Sequence, residues 1–374
     1  MNYKKIFLFL LLFFAFSVNA YGANVDEYYK DQLEASGVSE LSDYLGDDAA
    51  EYLKKLGCDE IEPEKILNVS LKSVVEVLLE IIRTGADEPV KAALKTTGVV
   101  LLVSVCSGFF PDDAKSRAVF NIICGCITVL VIYVPGAKSI RAAISAIGIC
   151  ANFEKALIPV LAGVVTSSGN PTLALSFKGV AFAAAEFVES LANNFALELI
   201  GISAALGIAG AMLPTLKLTA VSDVIRKTMT TVLGCTAGLF TGFLSLKRVL
   251  AVSTDSLVIK GVKMASSFVP VVGGALGEAY NSVFASISLL KNAIGIYAVI
   301  AFLAIGIPIV INLALWVLAL KLSCSVSDLL DCRICSEILK NISFVFSMTN
   351  TILLFCMAVF IISSGLIVSV KSGG

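Results

Sequence analysis

Apolar residues in this chain come in blocks separated by short polar joints. Runs at 90–110 and 119–134 flank the polar stretch PDDAKSR, and others occupy 173–191, 195–213, 229–246, 293–320 and 342–370. A bilayer core of ~30 Å takes about 20 helical residues, so these runs read as candidate spans. Two segments differ. KALIPVLAGVV at 155–165 holds Pro159 and Gly163, and SSFVPVVGGAL at 266–276 holds Pro270, Gly273 and Gly274. The pattern predicts two broken or re-entrant membrane segments, 156–168 and 264–290, with ordinary kinked spans as the other reading. Main-chain groups freed by a break find no water in lipid, so such breaks belong beside protein or a wet cavity. Residues 136–155 are amphipathic and read as interfacial.

Upstream of residue 90 the pattern changes. In LNVSLKSVVEVLLEIIRTG, Leu67, Leu71, Val74, Val75, Leu78 and Ile82 recur every three or four residues, which gives one greasy helical face. Residues 21–89 read as a small helical head whose last helix lies on the membrane or on the body. At the start, Lys4 and Lys5 precede apolar Ile6–Val18 and the small residues of Val18-Asn19-Ala20. That is the layout of a signal peptide over 1–20, or of a first anchor if it is not removed. Either way the head is exported.

Charge and composition sharpen this picture. Residues 24–88 carry 17 of the 29 acidic and 6 of the 28 basic side chains, so an acidic head precedes a mildly basic body. The chain is 57% hydrophobic and 15% charged, against ~25% charged in soluble domains. The fold class is an all-α polytopic membrane protein, with a membrane domain over 90–374 in contact with lipid. By the positive-inside rule the basic residues do not settle the orientation and lean slightly against an exported head.

The two proline segments belong to a longer echo. SRAVFNIICGCITVLVIYVPGAKSIRA aligns with IRKTMTTVLGCTAGLFTGFLSLKRVLA, placing Arg117 on Arg226, Gly125 on Gly234, Cys126 on Cys235 and Lys138 on Lys247, while Pro159 falls near Pro270. This predicts an internal repeat with halves of about 90–213 and 214–330, followed by a last span at 342–370. Repeats with discontinuous helices are familiar from transporters. If the proline segments cross the membrane the halves are parallel; if they do not, inverted.

Candidate chemistry is sparse. Histidine is absent, which removes the commonest general base and any Ser-His-Asp machinery. GGALGE at 273–278 lacks the order of a phosphate loop, and nothing points to nucleic acid. Cys332 and Cys335 form a CxxC without a second ligand pair or a βαβ setting, and read as incidental. No catalytic residue, metal or cofactor is expected. Intramembrane charges are the stronger signal, because each is costly in lipid. Lys178, Glu186 and Glu189 fall in one predicted span, Lys178 and Glu189 about three turns apart on one face; Glu198 follows in the next. They form a polar stripe, or snorkel from span ends. Glu154-Lys155 and Lys291-Asn292 flank the proline segments as weaker signals.

FVPVVGGALGEAYNSVFASISLLKNAIGI at 268–296 resembles the stage III sporulation protein AE family of endospore-forming bacteria. The likeness rests on Phe268-Val269-Pro270-Val271 before a glycine turn, Ser286 and Ser288 ahead of Leu289-Leu290-Lys291-Asn292, and Gly295. ALIPVLAGVVTSSG at 156–169 looks like that family's first proline segment, and the plan of signal, acidic head and membrane body also agrees. The resemblance implies a non-enzymatic component of a channel or secretion-like complex linking mother cell and forespore. It implies other products of the stage III sporulation A operon as partners and, through them, forespore protein Q. Its place would be the outer forespore membrane on the mother-cell side, with the head in the intermembrane space. The residues alone leave a second reading, a secondary permease for a small solute.

Overall fold

The computed structural model describes residues 36–59, 69–109, 114–167, 171–213, 220–236 and 273–368, with a few single positions between them. The signal stretch, Pro270 and about half of the second copy of the echo, including all of it from 243 on, lie outside the described residues. A 3₁₀ turn, Val38–Tyr44, leads to α1 (Asp47–Leu56), α2 (Leu71–Ser107), α3 (Ala114–Ser167) and α4 (Pro171–Ser190). A π segment, Leu191–Ala196, joins α4 to α5 (Leu197–Met212). Then come α6 (220–236), α7 (Gly273–Leu329) and α8 (Arg333–Val368). The fold is all-α; among the described residues there is no strand.

Four of these helices are long and apolar enough to cross a membrane, namely α2, most of α3, most of α7 and most of α8. Of the other candidate spans, 173–191 corresponds to α4, 195–213 to the shorter, 16-residue α5, and 229–246 lies partly outside the described residues; elsewhere neighbouring segments fuse. Runs 119–134, 136–155 and 156–168 become the single 54-residue α3. Residues from Gly273 through 320 become part of the 57-residue α7. At 1.5 Å per residue each rod is ~80–85 Å long, far beyond one bilayer core.

The expected break at Pro159 is therefore corrected: α3 continues through Pro135, Pro159 and Gly163. A proline removes one ladder bond and crowds the preceding turn, but Leu157, Ile158, Leu161 and Ala162 around it are all buried. Packing on both sides holds the rod together. Gly273 and Gly274 stand at the start of α7. The stretch between the apolar runs 293–320 and 342–370 is also mostly helix, with only residues 330–332 between α7 and α8.

Contacts fix the directions of the rods. Asn312 donates to the Gly85 carbonyl (3.0 Å), Ser323 to Ala93 (3.3 Å), and Ser104 to Leu330 (3.1 Å), so α2 runs parallel to α7. Thr128 meets Cys335 and Glu154 meets Ser364, so α3 runs parallel to α8. Trp316 of α7 donates to Ser139 of α3 (2.9 Å) and stacks on Phe346 of α8. Farther along, Phe302 lies between Phe153 and Phe360, with ring centroids 5.1 and 5.6 Å away. Thus α3 and α7 are antiparallel.

The head docks on one half of this bundle. Val38, Leu41, Leu45, Ala49 and Leu53 are buried. Residues 45–49 face Ala142–Ile149 of α3 and Ala304–Ile309 of α7. Lys55 ties α1 to α2 through Glu80, 2.8 Å away. The opposite end of the bundle carries the end of α2, the start of α3 and the α7–α8 turn. Met212 of α5 reaches that end at Gly125. From there α6 turns back, with Ser222 against Ser203 at 2.8 Å.

Candidate functional site

Residues 154–167 of α3 bring together most of the chemistry that the sequence places apart. Helical geometry points successive side chains about 100° apart, so Glu154 and Lys155 leave the rod toward different neighbours. Lys155 faces α4, where it bridges Glu186 at 2.6 Å and Glu189 at 2.8 Å. The two carboxylates stand three residues apart, on one face, and would repel each other without that ammonium. The cluster carries a formal charge of one minus. The π segment begins two residues after Glu189, a distortion that often marks functional stretches of helix.

Glu154 points the other way, into the core between α3 and α8, and is 1% exposed. Ser364 lies 3.4 Å from its Oε2, and the same hydroxyl lies 3.0 Å from the Phe360 carbonyl. Ser363 is beside it, its hydroxyl also buried. Phe153, Phe302, Phe360, Cys150 and Cys356 are buried in the same core. A carboxylate placed so far from water is costly unless neutralised or hydrogen-bonded.

One turn further on, Pro159, Val160, Gly163, Val164 and Ser167 form one wall of an open cleft of about 260 Å³; Ile287 and Leu290 of α7 and Ser36 of the head complete it. A Cβ added at Gly163 would meet nothing within 4 Å. Lys291 follows Leu290 in the sequence and is 2% exposed. The structure thus gathers Pro159, Gly163, Glu186 and Glu189 around one stretch of α3, with Lys291 next to the cleft-lining Leu290. Lys178 and Glu198 are exposed and take no part in the cluster. Pro270 lies outside the described residues.

A second polar knot, at the far end of the bundle, escapes sequence reasoning. Arg226 of α6 donates to Asn341 Oδ1 and lies 4.0 Å from the Phe344 ring centroid. Its Nε is 3.5 Å from Ser203 Oγ. Asn341 Nδ2 donates to the carbonyls of Gly207 (3.0 Å) and Glu337 (2.8 Å). A Cβ at Gly207 would overlap Asn341, so only glycine allows the approach. The arginine is visible in the sequence as one register point of the echo, but its partners lie on two other helices. Among the described residues no group of three or more His, Cys, Asp or Glu side chains could hold a metal ion.

Comparisons with known proteins agree with one another. The family described as Stage III sporulation protein AE (spore_III_AE) matches residues 63–371. Stage III sporulation protein AE of Bacillus subtilis (strain 168) is 26% identical over 211 residues, 55% of this chain and 52% of that protein. The match spans about half the length of that relative. No solved structure matches.

Proposed function

The chain belongs to the stage III sporulation protein AE family, and from that sporulation role we propose that it is a non-enzymatic, multi-pass membrane subunit of a channel complex linking mother cell and forespore. The observation that carries this reading is the cleft between Pro159, Gly163, Ile287 and Leu290, which opens on the head side of the bundle next to the charged Lys155–Glu186–Glu189 cluster. The cleft is the mouth of a conduit for small molecules, and the paired charges keep it wet. The acidic head, resting on the same half, meets partner proteins in the intermembrane space. Those partners are the other products of the stage III sporulation A operon and, through them, forespore protein Q. The protein itself sits in the outer forespore membrane.

The membrane belt lies in the half away from the head. There α2 exposes Val90, Leu94, Leu101, Leu102 and Val105, while α3 exposes Val119, Ile122, Ile123, Ile127, Leu130 and Val134. Apolar surface this extensive on a monomer needs a covering, and lipid supplies one.

The test combines crosslinking and substitution in sporulating cells. Photo-crosslinkers in the head, at exposed Ser39 and Asp43, are expected to recover other sporulation membrane proteins. Filling the cleft with Gly163→Trp is expected to arrest forespore development while Gly163→Ala does not. Recovery of no sporulation partner, together with normal spores from Gly163→Trp, overturns the proposal.

The rival reading, a secondary permease, draws support from Glu154, because a buried carboxyl on a bundle axis is a common coupling site in transporters. Glu154→Gln separates the two. A permease loses transport with its fold intact, whereas a channel subunit keeps complex assembly and spore formation.

A further inference from the structure

The α7–α8 turn gives the CxxC a setting that the sequence does not disclose. Helix α7 ends with Asp331 in the left-handed region (φ 50°), a rare conformation for a non-glycine residue. The Cys332 N–H then reaches back to the Ser327 carbonyl (2.9 Å) and that of Asp331 to Asp328 (3.3 Å), a Schellman closure. Ser327 Oγ donates to the Cys332 carbonyl at 2.8 Å. Helix α8 begins at the next residue, and the Ser336 N–H bonds to the Cys332 carbonyl at 3.1 Å. Cys332 is therefore the N-cap of a 36-residue helix, and Cys335 stands three residues into it on the same side.

Cys335 follows Cys332 by one helical turn, which sets its thiol and N–H as the donors nearest the Cys332 sulfur. These donors, the Cys335 thiol first, hold the Cys332 thiol down to about 6 against the opposing effect of burial. Thiolates are favoured at helix N-termini and in CxxC pairs for this reason, whatever the fold that carries them. Cys332 is 7% exposed between exposed Asp331 and Arg333, whereas Cys335 is fully buried, its sulfur 3.6 Å from Thr128 Oγ1. Cys332 keeps a small exposure at the helix start, and Cys335 lies fully buried behind it.

We infer that Cys332 and Cys335 are a thiol–disulfide exchange site, with Cys332 attacking and Cys335 resolving, and with small disulfides as the oxidant. The Cys332 thiolate attacks one sulfur of the small disulfide and expels the other as a thiolate. Cys335 then loses its proton to solvent and attacks the Cys332 sulfur of the mixed disulfide, expelling the second thiolate. The chain gains one S–S bond, and the small disulfide becomes two thiols. Oxidation draws the Cys335 sulfur away from Thr128, so the redox state is felt where α8 packs on α3.

The experiment uses the full chain in detergent, equilibrated in buffers of reduced and oxidised glutathione, then acid-quenched, alkylated and mapped by mass spectrometry. A reversible Cys332–Cys335 disulfide is expected. In Cys335→Ser, Cys332 accumulates a mixed disulfide with glutathione; in Cys332→Ser, Cys335 gains none. Serine is a good N-cap, so loss in Cys332→Ser does not reflect a lost helix start. Alkylation of Cys332 in the Cys335→Ser background is a separate readout of its accessibility. A pair that stays reduced in fully oxidised buffer overturns the assignment, as does a disulfide from Cys332 or Cys335 to Cys124 or Cys324.

Discussion

At the residue scale, the polar side chains of this protein are understood only through partners on other helices. Lys155 has two partners on α4, and all three side chains keep some exposure. Such pairs are worth ~0.2–1 kcal/mol each, so Lys155→Met is expected to lower stability by about 1 kcal/mol and Lys155→Arg by less. Thermal unfolding in detergent measures this; equal loss from both would mean that the stem rather than the charge matters. Gly207 is less forgiving, because Asn341 is held by two carbonyls and Arg226 and cannot step aside. Gly207→Val is expected to cost ~1–3 kcal/mol by overpacking, with Asn341→Ala partly relieving it in the double variant. The Cys332 thiol adds a pH dependence. Ionisation supplies the nucleophile, so its alkylation rate is expected to rise with pH through about 6 and level off above. An ordinary thiol keeps gaining until ~8.5. A rate still climbing between pH ~7 and ~8 would contradict the N-cap geometry.

At the element scale, composition and spacing make the helical class, the acidic head and the apolar blocks legible. They do not show where one rod ends. Apolar runs joined by 136–155 look like separate spans because the joint is polar on one face, yet a helix needs only continuous backbone bonding and one buried stripe. Pro159 misleads in the same way: a proline signals a break only where packing fails to hold both sides. Glu186 and Glu189 are readable as charges within an apolar run, whereas Lys155 as their partner is not, since spacing along one helix says nothing about contacts across two. Gly163 offers a direct test at this scale. An interior helical glycine costs ~1 kcal/mol relative to alanine, and nothing crowds its Cβ position. Gly163→Ala is therefore expected to raise stability by ~0.5–1 kcal/mol, measured by thermal unfolding. A drop would show that α3 needs local freedom at the cleft.

At the scale of the whole molecule, the length of the rods and the seat of the head support the membrane belt proposed above. The head covers α3 from Ala142 onward and α7 up to Ile309. Beyond it remain 114–141 of α3, 310–329 of α7 and about 86–107 of α2, roughly 30–42 Å of helix each. That is one hydrocarbon core with a margin; the exposed large apolar side chains of α3 lie in its stretch, and α2 adds Val90, Leu94, Leu101, Leu102 and Val105 there, while Leu71, Val75, Leu79 and Ile82 are exposed nearer the head. On that proposal the head-bearing half stands clear of the lipid, which suits the Lys155–Glu186–Glu189 cluster better than hydrocarbon would. Single cysteines placed in a chain lacking its native thiols test the arrangement. Ser39→Cys in the head and Glu186→Cys on α4 are expected to react with a membrane-impermeant maleimide from the same side. Ser107→Cys, at the end of α2, and Asp331→Cys, in the α7–α8 turn, react from the other side. Ile123→Cys, on the exposed face of α3 within the belt, serves as the lipid-facing probe and is expected to react from neither. Labelling of Ile123→Cys from water, or of Glu186→Cys and Ser107→Cys from one side, would mean that the belt has been placed on the wrong half of the rods.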